Sequence, residues 1–197
     1  MESSDPETSR AVSARRVSAF ISEIDSDLSA RDDTIAQRLR SQASSGRSRL
    51  TKIYVHVDEL TRGAGPFVAC ARGCSACCHM NVSITDLEAD RLAQASGRAP
   101  AKLSRAVKHE LDEYIGVPCP FLKDGECSVY DARPFMCRQH LSFDESAYWC
   151  QPERSASVKL SLVSFGGATQ AYADLVGSSR LRGVADIRDF FPQLTQT

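Results

Sequence analysis

The sequence has 197 residues, 42% of them hydrophobic and 25% charged, which is enough for one moderate hydrophobic core. Its 24 basic and 25 acidic side chains leave a formal net charge of −1, so no overall field draws the chain to nucleic acid or to an anionic membrane. No apolar stretch is long enough to cross a bilayer, and the first residues are acidic and polar, so we expect a soluble, cytoplasmic protein.

Residues 1–62 are predicted to form an N-terminal helical arm. The first ten residues are polar, acidic and contain a proline, and we expect them to be disordered. A serine-rich stretch at 41–48 is predicted to be a linker. Apolar residues recur at helical spacing in three segments, Val12 to Leu28, Arg31 to Arg40 and Leu50 to Leu60.

Residues 63–150 are predicted to form a cysteine-rich metal-binding domain. Within it, Thr85 and Glu88 have the spacing of a capping box, which predicts a helix that begins there and ends at Gly97. A further helix is predicted from Ala101 to Tyr114. Asp124-Gly125 then predicts a β-hairpin in which Leu122 pairs with Cys127, and Pro134 fits the start of a short helix that carries Cys137.

Residues 151–197 are predicted to be a supporting C-terminal segment. Val158, Leu160 and Leu162 alternate as in a strand, and residues 168–176 have a helical pattern. Ile187, Phe190 and Phe191 predict a terminal docking segment. We therefore expect a mainly α fold, a small helical domain with an irregular cysteine-rich metal-binding segment and a short β-hairpin.

The cysteines are the strongest functional signal. Four of the eight lie within nine residues, and three more follow between residues 119 and 137, which is enough thiolate to hold a metal ion or cluster. Burial of the cysteines in the hydrophobic core is a poor explanation for so many of them close together in the sequence. The other alternative, a disulfide framework, needs an oxidising compartment. The candidate metal ligands are Cys70, Cys74, Cys77, Cys78, Cys119, Cys127 and Cys137.

The local geometry of the first four cysteines depends on the backbone. A helix over residues 70–78 would place their sulfurs on one face, whereas Gly73 favours a turn. In a turn, Cys74 and Cys77 have the usual spacing for two thiolates that bind one metal. The neighbouring side chains of Cys77 and Cys78 diverge on any regular backbone, so we do not expect all four to bind one atom.

These segments resemble the YkgJ-type cysteine cluster family of zinc- or iron-chelating domains, often described as iron-sulfur proteins. The resemblance covers about residues 70–140 and implies metal binding by the matched cysteines, with Cys70 in the leading position. Flagellin lysine methylases carry what looks like a related cluster, which implies that such a module can serve an enzyme. The matching elements are Gly73-Cys74-Ser-Ala-Cys77-Cys78, Cys119-Pro120-Phe121-Leu122, Gly125-Glu-Cys127-Ser-Val-Tyr130 and Arg133-Pro134-Phe-Met-Cys137-Arg138.

Three functions remain open at this point. The first is an iron-sulfur protein that transfers electrons, with a protein redox partner, or that supports a modification reaction. The second is a structural zinc module that presents a protein-binding surface. The third is a thiol-redox or metal-handling protein in which Cys78 or Cys150 is reactive. We favour iron, because seven thiolates exceed what one structural zinc needs; whether the chain is an enzyme stays open.

Histidine and arginine residues lie beside the matched segments. His79 and His140 could each be a ligand or a hydrogen-bond donor near the site, or be incidental. Arg133 and Arg138 could lower the net charge of a thiolate-rich site, or form structural ion pairs with Asp131 or Asp144. His56 and His109 lie on helical patterns and are expected to be exposed.

Overall fold

The structure, a computed structural model, describes residues 5–71, 73–110, 112–178 and 183–193. The fold is mainly α, as predicted, and its two small antiparallel sheets pair β1 (Ser83–Thr85) with β4 (Val184–Asp186), and β2 (Leu122–Lys123) with β3 (Glu126–Cys127). None of the helices in these ranges has both the length and the apolar character required to cross a bilayer. The helices are α1 (Pro6–Glu23), α2 (Ser26–Ser41), α3 (Gly46–Thr61), α4 (Asp86–Ser96), α5 (Phe135–Gln139), α6 (Gly166–Ser178) and α7 (Ile187–Phe190).

The N-terminal helices begin and end differently from the prediction. Asp5 caps α1 by accepting a hydrogen bond from the Thr8 amide, so residues 6–10 are helical and not disordered, whereas residues 1–4 lie outside the described ranges. The predicted helix from Val12 to Leu28 is two helices, because Ile24 is extended and Asp25 starts α2 by accepting from two following amides. The predicted linker is also shorter, since α3 begins at Gly46.

A close approach of two backbones joins α2 to α6. A Cβ atom on Gly167 would lie 1.6 Å from the Asp32 carbonyl oxygen, so only glycine fits at this position. The Asp32 carboxylate accepts hydrogen bonds from the amides of Gly167 (3.0 Å) and Ala168 (2.9 Å). It also lies 3.0 Å from the ring of His56, which is buried and not exposed as expected.

Two hydrophobic clusters form the core of the described chain. The first joins α1, α2, α3, α5 and α6 through residues such as Phe20, Ile53 and Phe135. The second joins β1, α4, β4 and α7, and Cys119, Cys127 and Cys137 pack against it. The division into residues 1–62, 63–150 and 151–197 remains a prediction.

The structure confirms several local predictions. Thr85 and Glu88 form a reciprocal capping box at the start of α4, and Gly97 ends that helix with a positive φ of 72°. The hairpin pairs Leu122 with Cys127 as predicted, and its turn residues Asp124 and Gly125 both have positive φ, as a tight hairpin turn requires. The predicted helix over residues 168–176 lies inside α6, and the predicted docking segment forms α7 and the buried Phe191.

Two predicted elements are absent from the described residues. Residues 101–110 form no helix, because their backbone pairs elsewhere: the amide of Ala101 donates to Phe190 (2.7 Å) and that of Val107 donates to Val184 (3.0 Å). Tertiary hydrogen bonds outweigh helix propensity here. The alternating residues Val158, Leu160 and Leu162 form no strand, and Leu162 is exposed.

Candidate metal centre

The first cysteine segment is an irregular turn. Gly73 has a positive φ of 84°, and residues Ala76–His79 form a single 3-10 turn, so the turn interpretation is correct and the helical one is not. Hydrogen bonds anchor the start of the segment, because the Ala69 amide donates to the Ser142 carbonyl at 2.8 Å and the Ser142 amide donates to Cys70 Sγ at 3.3 Å. Cys70, Cys74 and Cys77 are exposed, and Cys78 is half-buried.

The second cysteine segment meets the first through the backbone. The Cys119 amide donates to the Cys78 carbonyl at 2.7 Å, and the Gly116 amide donates to the His79 carbonyl at 2.9 Å. Two stretches that are 41 positions apart, from Cys78 to Cys119, therefore lie side by side. The separated cysteine segments therefore meet at the level of the backbone.

Secondary structure presents two further cysteines to the same place. Cys127 lies on β3 of the hairpin, and Cys137 lies in the middle of α5. The start of α5 is held by the Glu88 carboxylate, which accepts a hydrogen bond from the Phe135 amide at 2.9 Å. Phe135 is fully buried, so α5 and its cysteine have a well-defined position against the core.

The thiols influence one another strongly. Cys78 donates a hydrogen bond to the sulfur of Cys77, which lowers the pKa of Cys77 to about 7, while the same bond raises the pKa of Cys78. Burial raises the pKa of Cys119, Cys127 and Cys137, and neighbouring thiols raise all three further. Because metal ligation needs thiolates, ligation at this site must release protons.

Cys150 belongs to the same neighbourhood, although its spacing lies outside the matched segments. It ends a short 3-10 turn, Tyr148–Cys150, that is anchored where the buried Trp149 donates from Nε1 to Ser9 Oγ at 3.0 Å. Burial raises the pKa of Cys150, and Cys74 and Cys77 raise it further. The sequence signal for this position was the presence of an eighth cysteine, but sequence spacing alone does not connect Cys150 with Cys70.

The cations around the thiols differ from those expected. Arg133 lies close enough to help lower the pKa of Cys77 and to oppose the raising of the Cys127 pKa, as predicted for a cation near the site. Arg138 forms a structural ion pair, but with Asp58 at 2.7 Å, and not with either predicted partner. Arg188, which no motif in the sequence indicated, is buried and acts on the cysteine segments in two ways.

Arg188 connects the two cysteine segments. It donates to the carbonyls of Met80 (3.2 Å) and Cys78 (3.4 Å) on one side and to that of Val117 on the other. Its charge also opposes the raising of the Cys119 pKa. Its position on α7, 110 residues from Cys78, could not be inferred from cysteine spacing.

The two histidines beside the cysteines have different surroundings. The His79 ring lies 3.2 Å from the Ser75 carbonyl, so one nitrogen has a backbone partner. Burial lowers the pKa of His140, which favours its neutral, ligand-competent form. Their roles as ligands remain predictions.

The donor chemistry fits a chelated zinc or iron ion, since all eight cysteines are free thiols and both metals accept thiolate ligands. In the arrangement that the described residues adopt, no three His, Cys, Asp or Glu side chains are placed to hold a metal ion. Ligation therefore requires the thiols to rotate toward a shared centre. Most of them are on turns and a two-residue strand, where such adjustment disturbs little core packing.

Comparison with known families agrees with this geometry. Residues 69–153 match the CxxCxxCC family model, described as a "Putative zinc- or iron-chelating domain", which confirms the family resemblance. No curated protein and no solved structure matches the chain. The matched range includes Cys150 and all seven predicted ligands, so this part of the chain is similar to zinc- or iron-chelating domains.

Proposed function

We propose that this protein holds iron, as an iron-sulfur cluster, through its clustered cysteines, and that the centre transfers electrons to a protein partner or supports a modification reaction. The observation that carries the proposal is the meeting of the two cysteine segments, where the Cys119 amide bonds to the Cys78 carbonyl at 2.7 Å. Four thiolates are what a cluster requires, and more than four are at hand.

The electrostatic surroundings support a thiolate-rich centre. Four thiolates around a cluster concentrate negative charge, and the nearby Arg133 and Arg188 offset part of it. When bound, an iron-sulfur cluster would supply one-electron chemistry at a potential that charge, hydrogen bonds and solvent exposure set. The protein's own contribution is to hold the cysteines, to place cations near them and to keep part of the site accessible.

A structural zinc module is the second candidate. Cys119, Cys127 and Cys137 pack against the second hydrophobic cluster, and a closed four-thiolate zinc site would tie that cluster together. In this alternative, the domain presents a protein-binding surface and has no redox role.

Purification without oxygen, followed by iron, zinc and acid-labile sulfide analysis, tests the proposal. We expect a brown protein with inorganic sulfide, since sulfur-to-iron charge transfer absorbs visible light and zinc has no such transition. Cys137→Ser should lose the cluster, while Met136→Leu, an exposed neighbour on the same helix, should keep it. A colourless protein with stoichiometric zinc and no sulfide would overturn the iron proposal, and a protein without either metal would overturn both candidates.

A further inference from the structure

Arg188 is a buried cation whose position is not explained by stability alone. It is 7% exposed and forms an ion pair at 2.9 Å with Asp186, which is 3% exposed. Removing two charges from water costs free energy, and a buried ion pair often stabilises a protein no more than apolar residues of similar volume would. The other contacts of the guanidinium group are therefore the better guide to its role.

Beyond its ion pair, the Arg188 side chain donates, within the described chain, only to backbone carbonyls beside the two cysteine segments. In the first segment the acceptors are the carbonyls of Cys78 (3.4 Å) and Met80 (3.2 Å). In the second the acceptor is the carbonyl of Val117, two positions before Cys119. The Cys78 carbonyl also accepts from the Cys119 amide at 2.7 Å. One guanidinium group thus holds both sides of the place where the segments meet.

The orientation of the Arg188 side chain is fixed by its own surroundings. The Asp186 carboxylate accepts hydrogen bonds from the amides of Val82 (2.7 Å) and Arg188 (2.9 Å), so it caps α7 and directs the guanidinium group at the same time. The neighbouring Ile187 is buried in the second hydrophobic cluster. The guanidinium carbon lies 4.8 Å from the centre of the Tyr114 ring. The arginine therefore has a well-defined position from which to hold the two segments.

We infer that Arg188 is a positioning residue for the metal centre. It fixes the backbone on both sides of the contact between Cys78 and Cys119, so ligation has less of the chain to order. A guanidinium group can do this because its rigid fork directs several N–H donors to separate acceptors, whereas lysine presents one compact ammonium group. The inference rests on the proposed function only in requiring that cysteines of both segments bind a metal, whether iron or zinc.

Arg188→Lys tests the inference, because lysine keeps a cation beside Asp186 but cannot reach the carbonyls of both segments at once. The chelated, reduced full-length protein is titrated with Co²⁺ in competition with a chelator of known affinity. Thiolate-bound Co²⁺ is followed by its visible and near-ultraviolet absorption. We expect an unchanged number of bound Co²⁺ ions and an affinity about 10- to 100-fold lower, as for other groups that orient metal ligands indirectly. Urea denaturation of the chelated variant gives its unfolded fraction, which alone sets how far unfolding can weaken binding.

Arg98→Lys is the matched control. Arg98 also donates to two backbone carbonyls, those of Pro120 (2.7 Å) and Pro192 (3.2 Å), and its guanidinium lies over the Phe121 ring, but it contacts only the second cysteine segment. Its substitution should leave the Co²⁺ affinity nearly unchanged. Native affinity in Arg188→Lys, or an equal loss in Arg98→Lys, would overturn the inference. A native chain that gives no thiolate-bound Co²⁺ spectrum would refute the proposed function itself, and this inference with it.

Hydrogen exchange of the native chain gives a second test that needs no variant to fold. Coupling between two sites is reciprocal, so if Arg188 strengthens metal binding, the bound metal must stabilise α7 in return. We expect exchange in α7 to rise on chelation by more than exchange between Ala89 and Leu92 of α4, which lie in the same hydrophobic cluster as Ile187 and Phe190. Equal changes in α7 and α4 would show that the cluster loosens as a whole, and would overturn the inference.

Discussion

Glu88 is the residue on which the position of α5 depends most directly. Its carboxylate is 1% exposed and accepts hydrogen bonds from the hydroxyls of Tyr54 (2.8 Å) and Tyr172 (2.6 Å) and from the amides of Thr85 and Phe135 (both 2.9 Å). The four donors lie in α3, in α6, at the start of α4 and at the start of α5. One side chain thus connects four helices next to the metal centre.

We predict that Glu88→Gln destabilises the protein substantially. Whichever carboxylate oxygen the glutamine NH2 group replaces, it faces a backbone N–H that can only donate, that of Phe135 or that of Thr85. One buried group therefore loses its partner, at about 3 kcal/mol of unfolding free energy. Urea denaturation measures this loss. Asp90→Asn on the same helix is the control, because its ion pair with Arg47 is exposed and should change stability by less than about 0.5 kcal/mol. Equal effects of the two substitutions would show that the Glu88 network adds little.

At the scale of elements, residues 98–110 and 112–118 are irregular and lie between α4 and the second cysteine segment. His109 holds it in place: its ring nitrogens lie 2.8 Å from Asp189 of α7 and 2.8 Å from Glu113. The Tyr114 ring also packs edge-on against the imidazole. The hydrogen bond with Asp189 raises the pKa of His109, and Glu113 adds to the effect.

We predict that the stability contributed by His109 is lost as the pH rises. Because its pKa is higher in the folded than in the unfolded protein, the contribution is fully present below the unfolded value of about 6.5 and disappears through the raised folded value. His109→Gln should therefore reduce stability more at about pH 5.5 than at about pH 9, as measured by urea denaturation of each protein. Lys108→Gln, an exposed neighbour, should show no such difference. A stability difference for His109→Gln that is the same at both pH values would contradict the assignment.

The parts of the fold that could be predicted were those whose sequence signal lies within a few residues. The Thr85 capping box, the Asp124-Gly125 turn and the glycine at the end of α4 act within a few residues, and all three are confirmed. The helix predicted after Pro100 failed because its amides bond to residues more than 75 positions away, Val184 and Phe190. Sequence periodicity contains no information on such partners.

The candidate site shows the same limit. The cysteine segments and Arg133 were identified from spacing and from the family resemblance, and the family model confirms that resemblance over residues 69–153. Cys150 and Arg188 were not connected to the site, because each reaches it through a fold that returns the C-terminal half to residues 70–80. Asp58 was likewise missed as the partner of Arg138, 80 positions away.

At the scale of the whole molecule, the two hydrophobic clusters and the metal centre stabilise different parts of the chain. The helices of the first cluster bury large side chains such as Phe20, Leu50 and Ile53. By contrast, residues 70–71, 73–78 and 116–127 contain short turns and a hairpin of two-residue strands. Of the hydrophobic residues described in these ranges, only Ala76 and Phe121 belong to the buried core. Burial of apolar side chains can therefore order the helices of the first cluster, but it contributes little stability to the two cysteine-containing segments.

We therefore predict that metal removal loosens the structure selectively. Hydrogen exchange in the chelated protein should rise sharply in residues 70–78 and 116–127, because ligation supplies most of the free energy that orders them. Residues 50–60 of α3 should change little, since their side chains lie in the first cluster. The comparison needs metal-loaded and chelated samples of the same preparation, analysed by mass spectrometry. Equal protection of the cysteine turns before and after chelation would mean that packing alone holds them. A uniform loss of protection throughout the chain would mean that the metal centre and the helical core unfold as one cooperative unit.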